Sequence, residues 1–193
     1  MILVIDNYDS FVHNLARYVR EAGYETLTLR NDAGCAEDLL RLSPQAVIIS
    51  PGPKAPAQAG VSMELIRRMP RAVPLLGVCL GHQCLVEAMG GGTARSREPV
   101  HGEASLILHD GAGIFSGIEN PIEAGRYHSL VSEIAPGGPL IPCAWSGKGE
   151  LMAVRHVRAP WHGVQFHPES LLTPSGRAIM ANFLAQVEQR AAA

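Results

Sequence analysis

The hydrophobic pattern of the chain changes character near its middle. In the first half, short solid apolar runs alternate with stretches of helical spacing. Ile2 to Ile5 is apolar at every position, the pattern of a strand buried on both faces. Ser10 can cap the next segment, where Val12, Leu15, Ala16 and Val19 recur at helical intervals, and Gly23 is placed to stop it. Glu25 to Leu29 predicts a second strand, Ala36 to Leu42 a short helix, and Ala46 to Ile49 a third strand ended by Ser50-Pro51-Gly52-Pro53. Met63, Leu65, Ile66 and Met69 mark another short helix. Val73 to Val78 reads as a fourth strand, and Leu80 to Met89 as a helix ended by Gly90-Gly91-Gly92. Strand, helix and strand at this spacing imply βαβ units and a parallel sheet, with right-handed crossovers that set helices on both faces.

The second half reads as β-rich. Ala104 to Leu108, Ile122 to Tyr127, Leu140 to Trp145, Leu151 to Val157 and Gly163 to Phe166 are short strand candidates separated by Gly, Pro and Asn clusters, and Ser146-Gly147-Lys148-Gly149 reads as a hairpin turn. These strands are expected to be antiparallel and to extend or flank the parallel sheet. Ala178, Ile179, Phe183, Leu184 and Val187 predict a final amphipathic helix, and Ala191-Ala192-Ala193 a frayed end. The pattern as a whole predicts an α/β fold in a single domain over residues 1–193, without repeats or low-complexity linkers.

Composition narrows the function. The 193 residues carry 16 Lys+Arg against 18 Asp+Glu, a net charge of -2, with no basic run, which argues against nucleic acid or an anionic membrane as the main partner. The longest apolar stretch, around Val73 to Leu80, falls far short of the roughly 18 residues of a membrane span. The N-terminal apolar run stops at Asp6 and lacks a basic leader, so it reads as a buried strand and not a signal peptide. Cys35, Cys79, Cys84 and Cys143 form no CxxC pair, and the expectation is a reduced, cytoplasmic chain.

Three segments carry candidate chemistry. In Pro74-Leu75-Leu76-Gly77-Val78-Cys79-Leu80-Gly81-His82-Gln83 an apolar strand meets Gly-x-Cys-x-Gly and then a helix, the thiol version of a nucleophile elbow. Small residues at Gly77 and Gly81 let neighbouring backbone approach, and the helix N-terminus turns N–H groups toward the sulfur, which favours thiolate. The N–H of Leu80 can donate to an oxyanion. In Val164-Gln165-Phe166-His167-Pro168-Glu169-Ser170 a strand ends on a His and a Glu that could serve as a base and its orienting acceptor. In Ser50-Pro51-Gly52-Pro53-Lys54-Ala55-Pro56 a rigid turn exposes the N–H of Gly52, a possible second oxyanion donor. Each segment also has a structural reading: a packed cysteine at an ordinary turn, a structural histidine with a solvated acid, a Pro-rich connection. A metal site involving His128, His156 or His162 is disfavoured, because no pair of histidines has a helical ligand spacing.

Taken in order, Ile5-Asp6-Asn7-Tyr8-Asp9-Ser10-Phe11, Ser50-Pro51-Gly52-Pro53, Gly77-Val78-Cys79-Leu80-Gly81-His82-Gln83, Tyr127-His128-Ser129-Leu130 and Gln165-Phe166-His167-Pro168-Glu169-Ser170 resemble the class I, triad-type glutamine amidotransferases. More narrowly they resemble the small glutaminase subunit of anthranilate synthase or aminodeoxychorismate synthase, and the resemblance runs from Met1 to about Leu184. It implies a flavodoxin-like, mostly parallel sheet with added antiparallel strands. It implies Cys79 as nucleophile, His167 as base and acid, Glu169 as orienting carboxylate, and Gly52 and Leu80 as backbone oxyanion donors. It sets Gly52, Gln83, Ser129 and Leu130 against the substrate, L-glutamine. The family usually has Gly where this chain has Lys54, and any geometry there with positive φ would be strained. Cys84 has no family role and is expected in the core.

The resemblance further implies no metal and no cofactor in this chain. Because the glutaminase half fills 193 residues, it implies a separate, larger synthase subunit that binds chorismate and Mg²⁺ in a hetero-oligomer. Anthranilate synthase is preferred over aminodeoxychorismate synthase or a subunit shared by both; a stand-alone γ-glutamyl hydrolase is the remoter alternative. The Asp6–Ser10 and Tyr127–Leu130 segments are expected on connections near strand ends, one or both of them facing the synthase.

Overall fold

The computed structural model describes residues 1–191; Ala192 and Ala193, part of the tail expected to fray, lie outside the described residues. The first half runs β1 (Ile2–Asp6), α1 (Val12–Glu21), β2 (Thr26–Arg30), α2 (Ala36–Arg41), β3 (Ala46–Ile49), α3 (Ser62–Arg68), β4 (Leu75–Val78) and α4 (Leu80–Ala88). The second half runs β5 (Gly92–His109), β6 (Ile122–Glu133), β7 (Leu140–Ser146), β8 (Leu151–His156), β9 (Trp161–Val164) and α5 (Gly176–Ala191). All nine strands join one sheet in the order β2-β1-β3-β4-β9-β8-β7-β5-β6.

The pleat of the parallel strands sorts their side chains into two cores. Ile2, Val4, Ile48, Leu76 and Val78 face α1 and α5, where Leu15, Val19, Ile179 and Phe183 meet them. Leu3, Ile5, Val47, Ile49 and Leu75 face α2, α3 and α4, where Leu39, Leu65, Ile66 and Leu85 meet them. Burial on both faces explains why these strands read as unbroken apolar runs; each such side chain contributes about 1.5–3 kcal/mol. Cys84 belongs to the second core and Cys143 to the first, and burial pushes both thiols up to about 12.

Three expectations change. β9, grouped by its sequence with the antiparallel strands, pairs parallel with β4 (Leu75↔Trp161 through Val78↔Val164) and antiparallel with β8. It thus completes a doubly wound order, β2-β1-β3-β4-β9, and all four of its residues are buried, as a central strand requires. Tyr127–Leu130 lies inside β6 and not on a connection. Ser10 does not cap α1: the chain already turns at Asp9, whose carboxylate accepts from Phe11 N–H at 2.7 Å and whose carbonyl accepts from Val12 N–H at 3.2 Å.

The expected hairpin turn is present, with Gly149 at φ 82 and Gly149 N–H donating to Ser146 carbonyl at 2.8 Å. The β5–β6 ladder is interrupted. Arg95 pairs with Leu130 and Val100 with His128, so Ser96–Pro99 bulge out opposite Ser129 alone.

Candidate active site

The site lies at the carboxyl ends of β1, β3, β4 and β9, where open α/β sheets present ligands, and β6 closes it from the side. Cys79 is the single residue between β4 and α4, with φ 51 and ψ -101. Such a backbone costs a non-glycine residue about 1–3 kcal/mol. It is held by Cys79 N–H donating to Val164 carbonyl (2.8 Å) and Gln83 N–H donating to Cys79 carbonyl (3.1 Å). Both flanking glycines are obligatory. A Cβ on Gly77 would lie 2.4 Å from the Gly81 carbonyl oxygen, and one on Gly81 would lie 2.2 Å from that of Ile49. The elbow thus presses strand, helix and neighbouring strand together at backbone distance and sets the sulfur over the start of α4.

His167 follows β9 by three residues and is fixed by its backbone. Its N–H donates to Gly125 carbonyl at 3.0 Å, and its carbonyl accepts from Thr173 Oγ1 at 2.6 Å. Its Nδ1 meets Glu169 Oε1 at 2.7 Å, with both residues buried. The carboxylate accepts, so Nδ1 carries the proton and Nε2 is left for the site. The Phe11 and Tyr127 rings stand at steep angles to the imidazole, with centroids 5.1 and 4.8 Å away, and hold its plane. Burial by itself lowers the proton affinity of an imidazole. The Cys79 sulfur and the Glu169 carboxylate outweigh it and raise His167 to about 10. His167 Nε2 has no hydrogen-bond partner among the described residues.

The strap after β3 is tied down by a buried polar cluster. Asn7 N–H donates to Ser50 Oγ and Asn7 Nδ2 to Ser50 carbonyl, both at 2.9 Å, while Asn7 Oδ1 accepts from Asn31 Nδ2 and Ser62 Oγ. A Cβ on Gly52 would come within 2.5 Å of Asn7 Cβ and 2.9 Å of Leu80 Cδ2, so glycine is required where the strap packs against Asn7 and the Leu80 side chain. Lys54 adopts φ 71, the strained conformation anticipated for a residue standing in place of glycine.

A cavity of about 160 Å³ opens onto the sulfur. Gly52, Cys79, Gln83, Ser129 and Leu130 line it, together with Pro53, Lys54, Tyr127 and His128. Gln83 Nε2 donates to Gln165 Oε1 at 3.1 Å and reaches Leu130 carbonyl at 3.4 Å, and Gln165 Nε2 reaches Cys79 Sγ at 3.5 Å. Of the residues expected from the sequence, Gly52, Gln83, Ser129 and Leu130 gather with Cys79 around one cavity; Leu80 follows Cys79 in the chain, and the His167–Glu169 pair stands against Tyr127, which also lines the cavity.

Sequence reasoning missed Asn7, Asn31 and Ser62 under the strap, Gln165 beside the sulfur, and Phe11 and Tyr127 against the imidazole. The available signal was a polar residue at the end of an apolar run, directly after it at Gln165 and one residue further at Asn7. The histidines weighed as metal ligands have separate partners: His128 meets Leu130 carbonyl, His156 accepts from the Arg158 and Ala159 N–H groups, and His162 meets Gln186. Among the described residues no three His, Cys, Asp or Glu side chains converge as a metal-binding group.

The sequence model of the family described as "Glutamine amidotransferase class-I" matches residues 3–187. The chain belongs to the class-I glutamine amidotransferases. Within this family it is 47% identical over 188 residues to the aminodeoxychorismate synthase component 2 of Escherichia coli, covering 95% of this chain and 99% of that protein. It is 46% identical over 186 residues to the anthranilate synthase component 2 of Thermus thermophilus, covering 95% and 91%. The fold matches that of a glutamine amidotransferase from Thermotoga maritima with a TM-score of 0.76, at 15% identity over 98% of this chain and 96% of that one. As an amidotransferase the chain acts on glutamine, and its family members include synthase components of both chorismate branches.

Proposed function

We propose that Cys79, His167 and Glu169 hydrolyse L-glutamine and that the ammonia passes to a larger chorismate-using synthase subunit. The observation that carries this reading is the strained elbow cysteine beside a buried imidazole held by Glu169 at 2.7 Å. The Cys79 thiolate attacks the side-chain amide carbon of glutamine. The resulting oxyanion is received by the N–H groups of Gly52 and Leu80. Protonated His167 gives its proton to the departing ammonia, leaving a γ-glutamyl thioester. His167 then takes a proton from water, which attacks the thioester and releases glutamate. Gln83 and the Ser129–Leu130 backbone hold the substrate's amino-acid end.

This half-reaction needs no cofactor; chorismate and Mg²⁺ belong to the partner, and the pair works in the cytoplasm. The recipient is anthranilate synthase or aminodeoxychorismate synthase. Identities of 47% and 46% to the two kinds of component favour neither. Among the described residues no helix is long and apolar enough to cross a membrane.

The test is Cys79→Ser in the assembled complex. Glutamine-dependent product formation disappears while ammonia-dependent formation survives, because the synthase site lies on the other chain. Retained glutamine-driven turnover would sink the assignment.

A further inference from the structure

Arg126 is 1% exposed, and a guanidinium at that depth persists only when it is fully paired. Its Nη2 donates to Glu150 Oε2 at 2.7 Å, and its Nε donates to His128 Nε2 at 3.0 Å. Glu150 is anchored in turn: its Oε1 accepts from Ser96 Oγ at 2.7 Å and from Arg97 N–H at 3.1 Å. The chain of contacts continues from His128 Nδ1 to the Leu130 carbonyl at 2.9 Å, the same carbonyl that Gln83 Nε2 reaches.

The chemistry of this chain permits one arrangement of protons. Arginine only donates, so His128 Nε2 must be bare, and the ring proton sits on Nδ1 where it donates to Leu130. A second proton would set an imidazolium against the guanidinium. Burial and Arg126 together push His128 down to about 4, so it stays neutral beside His167.

The Ser129–Leu130 wall needs such a support. The Ser96–Pro99 bulge leaves Ser129 without a partner in the strand register, at the point where β6 lines the cavity. Ladder hydrogen bonds that would otherwise fix this stretch are interrupted. The side-chain contacts from Glu150 through Arg126 and His128 reach the wall at the Leu130 carbonyl.

We propose that Glu150, Arg126 and His128 form a positioning relay that sets the Ser129–Leu130 wall, and through it Gln83, in the geometry that binds glutamine. The relay rests on the reading of the Cys79 cavity as the glutamine site. It contributes no proton to the reaction; its effect falls on substrate affinity.

The experiment compares alkylation of Cys79 by two reagents: a diazoketone analogue of glutamine, which must occupy the cavity, and iodoacetamide, which needs only the thiolate. In His128→Leu the half-saturating concentration of the diazoketone rises about tenfold or more, the size expected when a buried hydrogen bond no longer holds a binding wall. The iodoacetamide rate stays at the wild-type value. His128→Asn, whose Nδ2 replaces Nδ1 as donor to Leu130, recovers most of the affinity. Glu150→Gln, which discharges the far end, gives a smaller rise in the same direction.

Unchanged half-saturation in His128→Leu or in Glu150→Gln overturns the relay, and each variant decides independently if the other fails to fold. Equal slowing with both reagents overturns it too, since the triad and not the wall would then be disturbed. If wild-type Cys79 reacts with iodoacetamide but never with the diazoketone, the glutamine-site reading itself falls and takes the relay with it.

Discussion

In the parallel half of the sheet, functional groups sit one to five residues past a strand; in the antiparallel half, the groups that line the cavity sit in mid-strand and are held by side chains. Cys79 is adjacent to the end of β4, Gly52 lies three residues past β3, and His167 three past β9. Each is aimed by its backbone: an elbow, a strap, a bridge to Gly125. Ser129 and Leu130 instead lie in mid-strand, next to a bulge. They take their position from Glu150 and Arg126 through His128. Parallel strands that end together build chemistry from short motifs, whereas this long antiparallel strand places a wall through side chains of its own, anchored at the far end by Glu150.

The largest effects are expected in the parallel half. His167→Ala removes the proton carrier and should reduce glutamine-dependent turnover by about 10²–10⁴-fold, whereas Glu169→Ala, which loses only the orienting carboxylate, should cost less. Because they act as a unit, the double variant should be little worse than His167→Ala. The same pair sets the pH dependence. His167 is protonated up to about 10, so thioester formation should lose its proton donor as pH rises through that value. Glu169→Ala removes one of the groups that raise it, so the alkaline limb should move to lower pH. Equal losses in both single variants, or an unmoved limb in kcat/KM for glutamine, would contradict this division of roles.

Next in size is the elbow itself. In Gly81→Ala the new Cβ would meet the Ile49 carbonyl oxygen at 2.2 Å, a backbone atom that no side-chain rotation can move away. Relief requires α4 to move off β3, so the variant should lose more than about 3 kcal/mol and a large part of its activity. Chemical denaturation would measure this. A loss under about 1 kcal/mol would show that the elbow is softer than its contacts imply.

Much of this was legible in the sequence because the parallel half writes its chemistry in contiguous residues. Apolar runs gave three strands and the Thr-Leu alternation a fourth, and Gly77, Cys79 and Gly81 gave the turn. Gly52, Gln83, His167 and Glu169 were all picked out: the first two line the cavity at Cys79, and the last two pair with each other. The parallel pairing of β9 was not legible. Its four residues are buried on both faces like the other parallel strands, but the run is short and a preceding hairpin marks it as antiparallel. Nor was the burial of Arg126, since a charged residue inside a strand pattern reads as solvated until Glu150 and His128 are seen against it. The extent of β6 was hidden by Ser129, a polar residue left outside the ladder by the bulge.

The smallest effect belongs to Lys54. Its φ of 71 is strained for Lys, and Lys54→Gly should relieve about 1 kcal/mol, partly offset by the added freedom of the unfolded chain. The melting temperature should rise slightly or stay unchanged, by at most about 2–4 °C. The KM for glutamine should not move. A clear rise in KM would show that the Lys54 side chain, which lines the cavity, helps hold the substrate.

The central claim is a covalent one, and mass spectrometry tests it most directly. Complex quenched with acid during glutamine turnover should carry one γ-glutamyl group, and peptide mapping should find it as a thioester on Cys79. The buried Cys84 and Cys143, with thiols pushed up to about 12, should remain free. No acylated peptide under conditions where glutamate is being formed, or acylation on a cysteine other than Cys79, would contradict the account.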